Sequence, residues 1–261
     1  MKKIIILLTI LYMSVYNFTF AMTDDEKGLS IAHEIDAHDK GWRDSTTKMK
    51  MILKNRQGDQ SSRDIRVKFL EVKDDGDKGL TIFDTPADIK GTAFLSYSHS
   101  IEQDDQWLYM PSIKRVKRIN SSNKSGPFMG SQFAYEDLAS FEVDKYKYKY
   151  IRDDKINDVD TYVVESYPLY EYSGYTKLLV WVDKSRYIPI KVEYYDRKNS
   201  LLKTLELSKY TLYLDKYWRA HEQRMVNHQN GKTTILSFNG YELNTGLKES
   251  DFNRNSLKRA R

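Results

Sequence analysis

The 261-residue chain contains no cysteine. Disulfides, a cysteine nucleophile and the acyl-cysteine anchor of a lipoprotein are therefore excluded. Histidine is scarce, at five residues, and poorly placed for a metal. His33 and His38 share the first helical stretch but lie five apart, which turns them roughly 140° away from each other at about 100° per residue; a zinc helix needs them four apart. His99, His221 and His228 are scattered among polar neighbours and read as solvated. Also missing are a Gly-x-Ser-x-Gly elbow, a phosphate-binding Walker loop, a dinucleotide fingerprint and any fixed-period repeat.

Charge of one sign is not in excess either. The formal net charge is +5, and Lys2 and Lys3 contribute two of these, so residues 22–261 carry only +3. That is too little to require a polyanion partner, and no nucleic-acid binding is expected. Acidic pairs such as Glu102 with Asp104 and Glu136 with Asp137 have the chemistry for proton transfer, but among 37 acidic residues such pairs arise freely. "DDGDKG", Asp74 to Gly79, has the carboxylates of a calcium loop without its alternate spacing or distal Glu, and reads as a tight turn. No catalytic residue, metal or cofactor is assigned, and no enzyme is expected.

The chain does contain one long apolar run. Met1-Lys2-Lys3, the stretch Ile4 to Phe20 and the exit Thr19-Phe20-Ala21 have the charge, hydrophobic core and small-residue end of a secretory signal peptide. Cleavage after Ala21 delivers residues 22–261 as a soluble periplasmic protein. The alternative is an uncleaved anchor through residues 4–21, since roughly 17 to 25 apolar residues span a bilayer. The remainder fits a single large all-β domain.

Asp24 to Lys40 places Leu29, Ile31, Ala32, Ile35 and Ala37 at mostly helical spacing behind an acidic first turn, with Gly41 as a stop. From Ser45 the period becomes two. Met49, Met51 and Leu53 alternate with lysines, and "NRQGDQ" turns the chain into Arg63 to Val72. Short alternating segments then follow to Leu243, separated by turns such as "DTPAD", "DKSR", "DRKNS" and "NHQNGK". Roughly ten to twelve strands joined by short turns predict a meandering antiparallel sheet that curls. In "KYKYKY", Tyr146, Tyr148 and Tyr150 share a face opposite Lys145, Lys147 and Lys149. An amphipathic ring suits a wall that is apolar yet keeps its hydroxyls bonded, although a tyrosine-rich core would look the same.

Between Ile113 and Ser140 the alternation lapses. Lys114, Arg115, Lys117, Arg118 and Lys124 precede "PFMGSQFAYEDLAS", read as a short helix or lid behind a mobile Ser/Gly loop. The basic run fits either a solvated loop or a charged rim beside something apolar.

The block "DDQWLYMPSIKRVKRINSSNKSGPFMGSQFAYEDL", with "DKGLTIFDTPADIKGTAFL" and Gly41-Trp42, resembles the outer-membrane lipoprotein-sorting family, the LolA-like periplasmic proteins. The resemblance covers nearly all of residues 22–261. It implies a mainly β fold with a few helices: a half-closed antiparallel barrel of about eleven strands with a helical lid over a hydrophobic cavity. It also implies a carrier of lipid or lipoprotein acyl chains, associated in this branch with inner-membrane transporters of the RND type. Phe94, Trp107, Tyr109, Phe128, Met129, Phe133 and Tyr135 are the expected cavity and lid residues, and Lys114, Arg115, Lys117 and Arg118 the expected rim. The competing reading is a non-catalytic periplasmic scaffold or envelope-stress sensor that binds a membrane-protein partner without carrying lipid. Period two shows which side chains share a face, but not which face is concave.

Overall fold

The computed structural model describes residues 22–259; the expected signal peptide, residues 1–21, lies outside them. Helix α1, Asp24–His38, starts on a reciprocal cap. The Glu26 amide donates to the Thr23 hydroxyl at 3.3 Å, and the Thr23 amide donates to the Glu26 carboxylate at 2.8 Å. Thirteen strands follow: β1 Asp44–Lys54, β2 Gln60–Leu70, β3 Lys78–Phe83, β4 Ala93–Tyr97, β5 Asp105–Met110, β6 Arg115–Arg118, β7 Tyr146–Ile156, β8 Val159–Pro168, β9 Tyr175–Asp183, β10 Pro189–Asp196, β11 Leu201–Tyr213, β12 Tyr217–Asn227 and β13 Thr233–Leu243. Among the described residues no helix is long and apolar enough to cross a membrane.

All thirteen strands form one antiparallel sheet, ordered β6-β5-β4-β3-β2-β1-β13-β12-β11-β10-β9-β8-β7. Two meanders are joined where the last strand pairs with the first, Met49 opposite Phe238 and Met51 opposite Leu236. β6 and β7 do not meet, so the barrel is half closed. The strand beyond the expected eleven or twelve is β6, whose Arg-Val-Lys-Arg gives no apolar alternation.

Facing residues pair across each ladder and so share a face. One face carries Met49, Ile65, Phe83, Phe94, Leu108, Val192, Leu205 and Met225, and forms the main core beneath the segment that crosses it. The other face carries Leu80, Ile82, Leu95 and Trp107, covered by Phe252 and Leu257 of the C-terminal 3-10 turns. Helix α1 lies over β7 on the first face, where Ile31 and Ala32 pack with Tyr148, Val164 and Val182. Gly28 permits that approach, because a Cβ there would stand 2.8 Å from the Tyr150 backbone nitrogen. The tyrosines of "KYKYKY" face α1, as their alternation with lysine requires.

Candidate functional site

Residues 124–141 cross the core face as a strap. Its centre is a tight loop in which the Phe128 amide donates to the Phe133 carbonyl at 2.7 Å, with Met129 and Gly130 at positive φ. The expected helix is instead two single 3-10 turns, Phe128–Gly130 and Tyr135–Leu138. Phe128 is a core residue, 1% exposed, with ring centroids 5.1 Å from Phe94, 5.9 Å from Phe83 and 5.5 Å from Tyr135.

Polar bonds tie the strap to both halves of the sheet. On one side Arg63 of β2 donates to the Met129 carbonyl at 2.5 Å. On the other, the Gln132 amide donates to Thr234 Oγ1 at 2.9 Å. Lys203 of β11 donates to the Gln132 carbonyl at 3.0 Å and to Asp137 Oδ2 at 2.6 Å. That ion pair is buried, its side chains 3% and 4% exposed. The Tyr175 hydroxyl also donates to Asp137, at 2.8 Å, and burial holds the Tyr175 and Tyr194 phenols well above their ordinary range. Glu136 accepts from the Gly174 amide and the Ser173 hydroxyl, both at 2.9 Å. Burial, with Asp137 alongside, raises its pKa. The Glu136 and Asp137 pair therefore anchors the strap.

Between strap and sheet lies a cavity of about 340 Å³. Its apolar end is formed by Met49, Met51, Val67, Phe94, Phe128, Phe133, Leu236 and Phe238. Gly79 forms part of the floor, since a Cβ there would meet the Ser96 hydroxyl at 2.9 Å and the Phe69 ring at 3.3 Å. Asp39, Trp42, Asp77, Lys78, Ser98, Ser140 and Arg219 form the polar end, beside the α1-to-β1 junction. There Arg219 donates to Asp39 at 2.5 Å and stands 5.7 Å from the Trp42 ring centroid. Burial, with Glu142, Glu71 and Asp39 nearby, pushes Asp77 up to about 7.

Of the residues expected from sequence, Phe94, Phe128 and Phe133 line the cavity. Met129 and Tyr135 pack against the same cluster. Trp107 and Tyr109 require correction: they lie on the opposite face with Leu95, Phe252 and Leu257, while their neighbour Leu108 faces the core. The basic run also differs from the expected rim. Lys114 follows the 3-10 turn Pro111–Ile113, and Arg115, Lys117 and Arg118 stand on β6, at the sheet edge, where none of the four lines the cavity. Arg118 is paired with Asp105. Sequence reasoning did not single out Met49, Met51, Leu236, Phe238 or Arg219 as lining residues. Their alternation along β1, β12 and β13 was visible, but nothing local marked that face as concave.

A family model whose description reads "uncharacterized protein" matches residues 75–259, well over half the chain. No curated protein matches. Among solved structures, an outer membrane lipoprotein-sorting protein domain of Vibrio parahaemolyticus is 60% identical, with a TM-score of 0.89 over 90% of this chain and 100% of that one. A DUF1329 family protein of Desulfovibrio piger is 28% identical, with a TM-score of 0.85 over 90% and 99%. A LolA superfamily protein of Nitrosomonas europaea, at 22% identity, shares the fold with a TM-score of 0.69 over 87% and 98%.

Proposed function

We propose that this chain, which belongs to the LolA-like outer membrane lipoprotein-sorting family, is a periplasmic carrier that binds lipid or lipoprotein acyl chains without covalent chemistry. The observation that carries the reading is a cavity of about 340 Å³, apolar at one end, under a strap held by hydrogen bonds, one ion pair and the buried rings of Phe128 and Phe133. Each methylene buried contributes about 0.8 kcal/mol, so an acyl chain binds by burial alone; when the strap lifts, its polar bonds exchange for water and the chain takes over the apolar contacts that Phe128 and Phe133 make with the sheet. Phe94, Phe128 and Phe133 would contact the chain, with Met129 and Tyr135 supporting the strap. Export by a cleaved signal peptide and delivery to the outer membrane, or service to an RND-type transporter of the inner membrane, complete the proposal. The β6 edge supports a partner-docking role. Its outer backbone groups have no strand partner among the described residues, and Lys114, Arg115 and Lys117 extend from it.

The test is to purify the processed protein under mild conditions, extract it with organic solvent and measure bound lipid by mass spectrometry, alongside titration with a fluorescent fatty acid. Stoichiometric lipid or saturable binding supports the carrier. A protein that is empty and does not bind the probe is a scaffold instead.

A further inference from the structure

The sheet has two end strands, and the fold treats them differently. Helix α1 is laid against the backbone of β7, where a Cβ on Gly28 would stand 2.8 Å from the Tyr150 nitrogen and 2.9 Å from the Lys149 nitrogen. Among the described residues β6 has no such cover: Arg115, Lys117 and Arg118 are exposed and Val116 is half-buried.

The register shows what this edge offers. The Ile119 amide donates to the Gln106 carbonyl at 2.8 Å, which continues the pairing of Arg118 with Trp107 and of Lys117 with Leu108. Backbone bonds alternate along an antiparallel ladder, so Ile119, Lys117 and Arg115 turn theirs toward β5. Val116 and Arg118 turn theirs outward, and their N–H and C=O groups have no partner among the described residues. Side chains alternate with the same period. Arg115 and Lys117 lie on the core-face side beside Met110 and Leu108, while Val116 lies on the other face beside Tyr109. Arg118 is already paired with Asp105, whereas Arg115 and Lys117 have no acidic partner among the described residues.

An uncovered edge takes a further strand. A second copy of β6 is a poor one, because it would set arginine and lysine against arginine and lysine. A strand added beside Val116 and Arg118 places two of its side chains, two positions apart, opposite Arg115 and Lys117, and the one between them beside Val116. Resting on the partner-docking role given to this edge above, we infer that β6 pairs with an extended segment of a partner protein that carries an acidic, an apolar and an acidic residue in succession. The carboxylates meet Arg115 and Lys117, and the apolar side chain extends the stripe of Tyr109 and Val116.

The experiment is fluorescence anisotropy at low ionic strength with a labelled, end-blocked peptide that alternates glutamate with valine, and with its counterpart in which lysine replaces each glutamate. Wild type binds the glutamate peptide saturably and the lysine peptide about tenfold more weakly or less. Arg115→Glu with Lys117→Glu reverses that order. Lys147→Glu with Lys149→Glu, the same charge change on β7, preserves it. Val116→Pro removes an outward N–H and no bond to β5, keeps every charge, and weakens the glutamate peptide by about tenfold. N-methylation of alternate peptide nitrogens has the same effect and is the measurement to read if Val116→Pro does not fold. A glutamate peptide that keeps its affinity for Val116→Pro, or keeps it when N-methylated, is held by charge alone, which overturns the strand pairing. Equal binding of the two peptides by wild type overturns the acidic partner. If wild type binds neither peptide but sediments with phosphatidylglycerol vesicles, and Arg115→Glu with Lys117→Glu does not, the edge docks on a membrane and this inference falls while the docking role stands. Binding of neither peptides nor vesicles overturns the docking role as well.

Discussion

Replacing Lys203 by Met tests whether the strap is closed in solution as the structure shows it. The ammonium lies 2.6 Å from Asp137 and 3.0 Å from the Gln132 carbonyl, over the rings of Tyr175 and Tyr194 at 5.1 and 5.0 Å. Both partners are almost fully buried. Methionine fills similar space but leaves the Asp137 carboxylate without its countercharge, and removing one member of a buried pair costs about 3–5 kcal/mol. The Tyr175 hydroxyl and the Ala134 amide, at 2.8 and 2.6 Å, still donate to Asp137 and do not replace a cation. In a domain of this size 1 kcal/mol moves Tm by about 2–4 °C, so a fall of roughly 6–20 °C is expected. Asp137→Asn removes the charge and keeps an acceptor for the Ala134 amide, while the Tyr175 hydroxyl, which bonds the other carboxylate oxygen, can rotate to accept from the new amide N–H. The double variant Lys203→Met with Asp137→Asn should therefore recover about 2 kcal/mol or more of the loss. Urea unfolding of wild type, both single variants and the double variant gives the coupling energy. A Lys203→Met cost below about 1 kcal/mol, the range of a solvated pair, would mean that water reaches the pair and that the strap is open in solution. The buried anchor would then be refuted.

Three further outcomes follow from other parts of the molecule. Asp77 has a folded pKa of about 7 against an ordinary 3.8, so between those values the folded state binds more protons than the unfolded one, and stability falls as pH rises from about 4 to about 7. Asp77→Asn should flatten that slope and be more stable than wild type at alkaline pH, as read by urea unfolding at several pH values. Phe252→Ala should cost about 3–5 kcal/mol, because the fully buried ring covers Leu95 and Trp107, yet fatty-acid affinity should be unchanged. Phe128→Asp, which a mobile-lid reading would tolerate, should place a carboxylate among Phe83, Phe94 and Tyr135 and lower Tm, as well as weakening binding.

Period-two alternation carried most of the fold because antiparallel ladders fix side-chain direction over long stretches. Lys50 between Met49 and Met51, and the lysines between Tyr146, Tyr148 and Tyr150, made the dry faces plain. Alternation does not mark the core side where both faces of a strand are covered. In Gln106-Trp107-Leu108-Tyr109 the core face holds Gln106 and Leu108, while the aromatic residues lie under the C-terminal turns. Size and aromaticity pointed to the wrong side, because nothing near β5 reveals that residues around Phe252, far along the chain, close over it. The strap anchors were hidden for a related reason. Lys203 and Asp137 are 66 residues apart, and each taken alone is an ordinary surface residue type. Only the meander that brings β11 beneath the strap makes them a pair. The basic run misled in the opposite sense: its charges looked like the rim of a site because they adjoin Phe128 in sequence, yet β6 ends the sheet and the chain must leave that edge to return over the core. Sequence proximity to the strap therefore measures where the chain turns back, and the cavity is made by strands of both halves of the sheet, β1 to β4 before that turn and β12 and β13 after it.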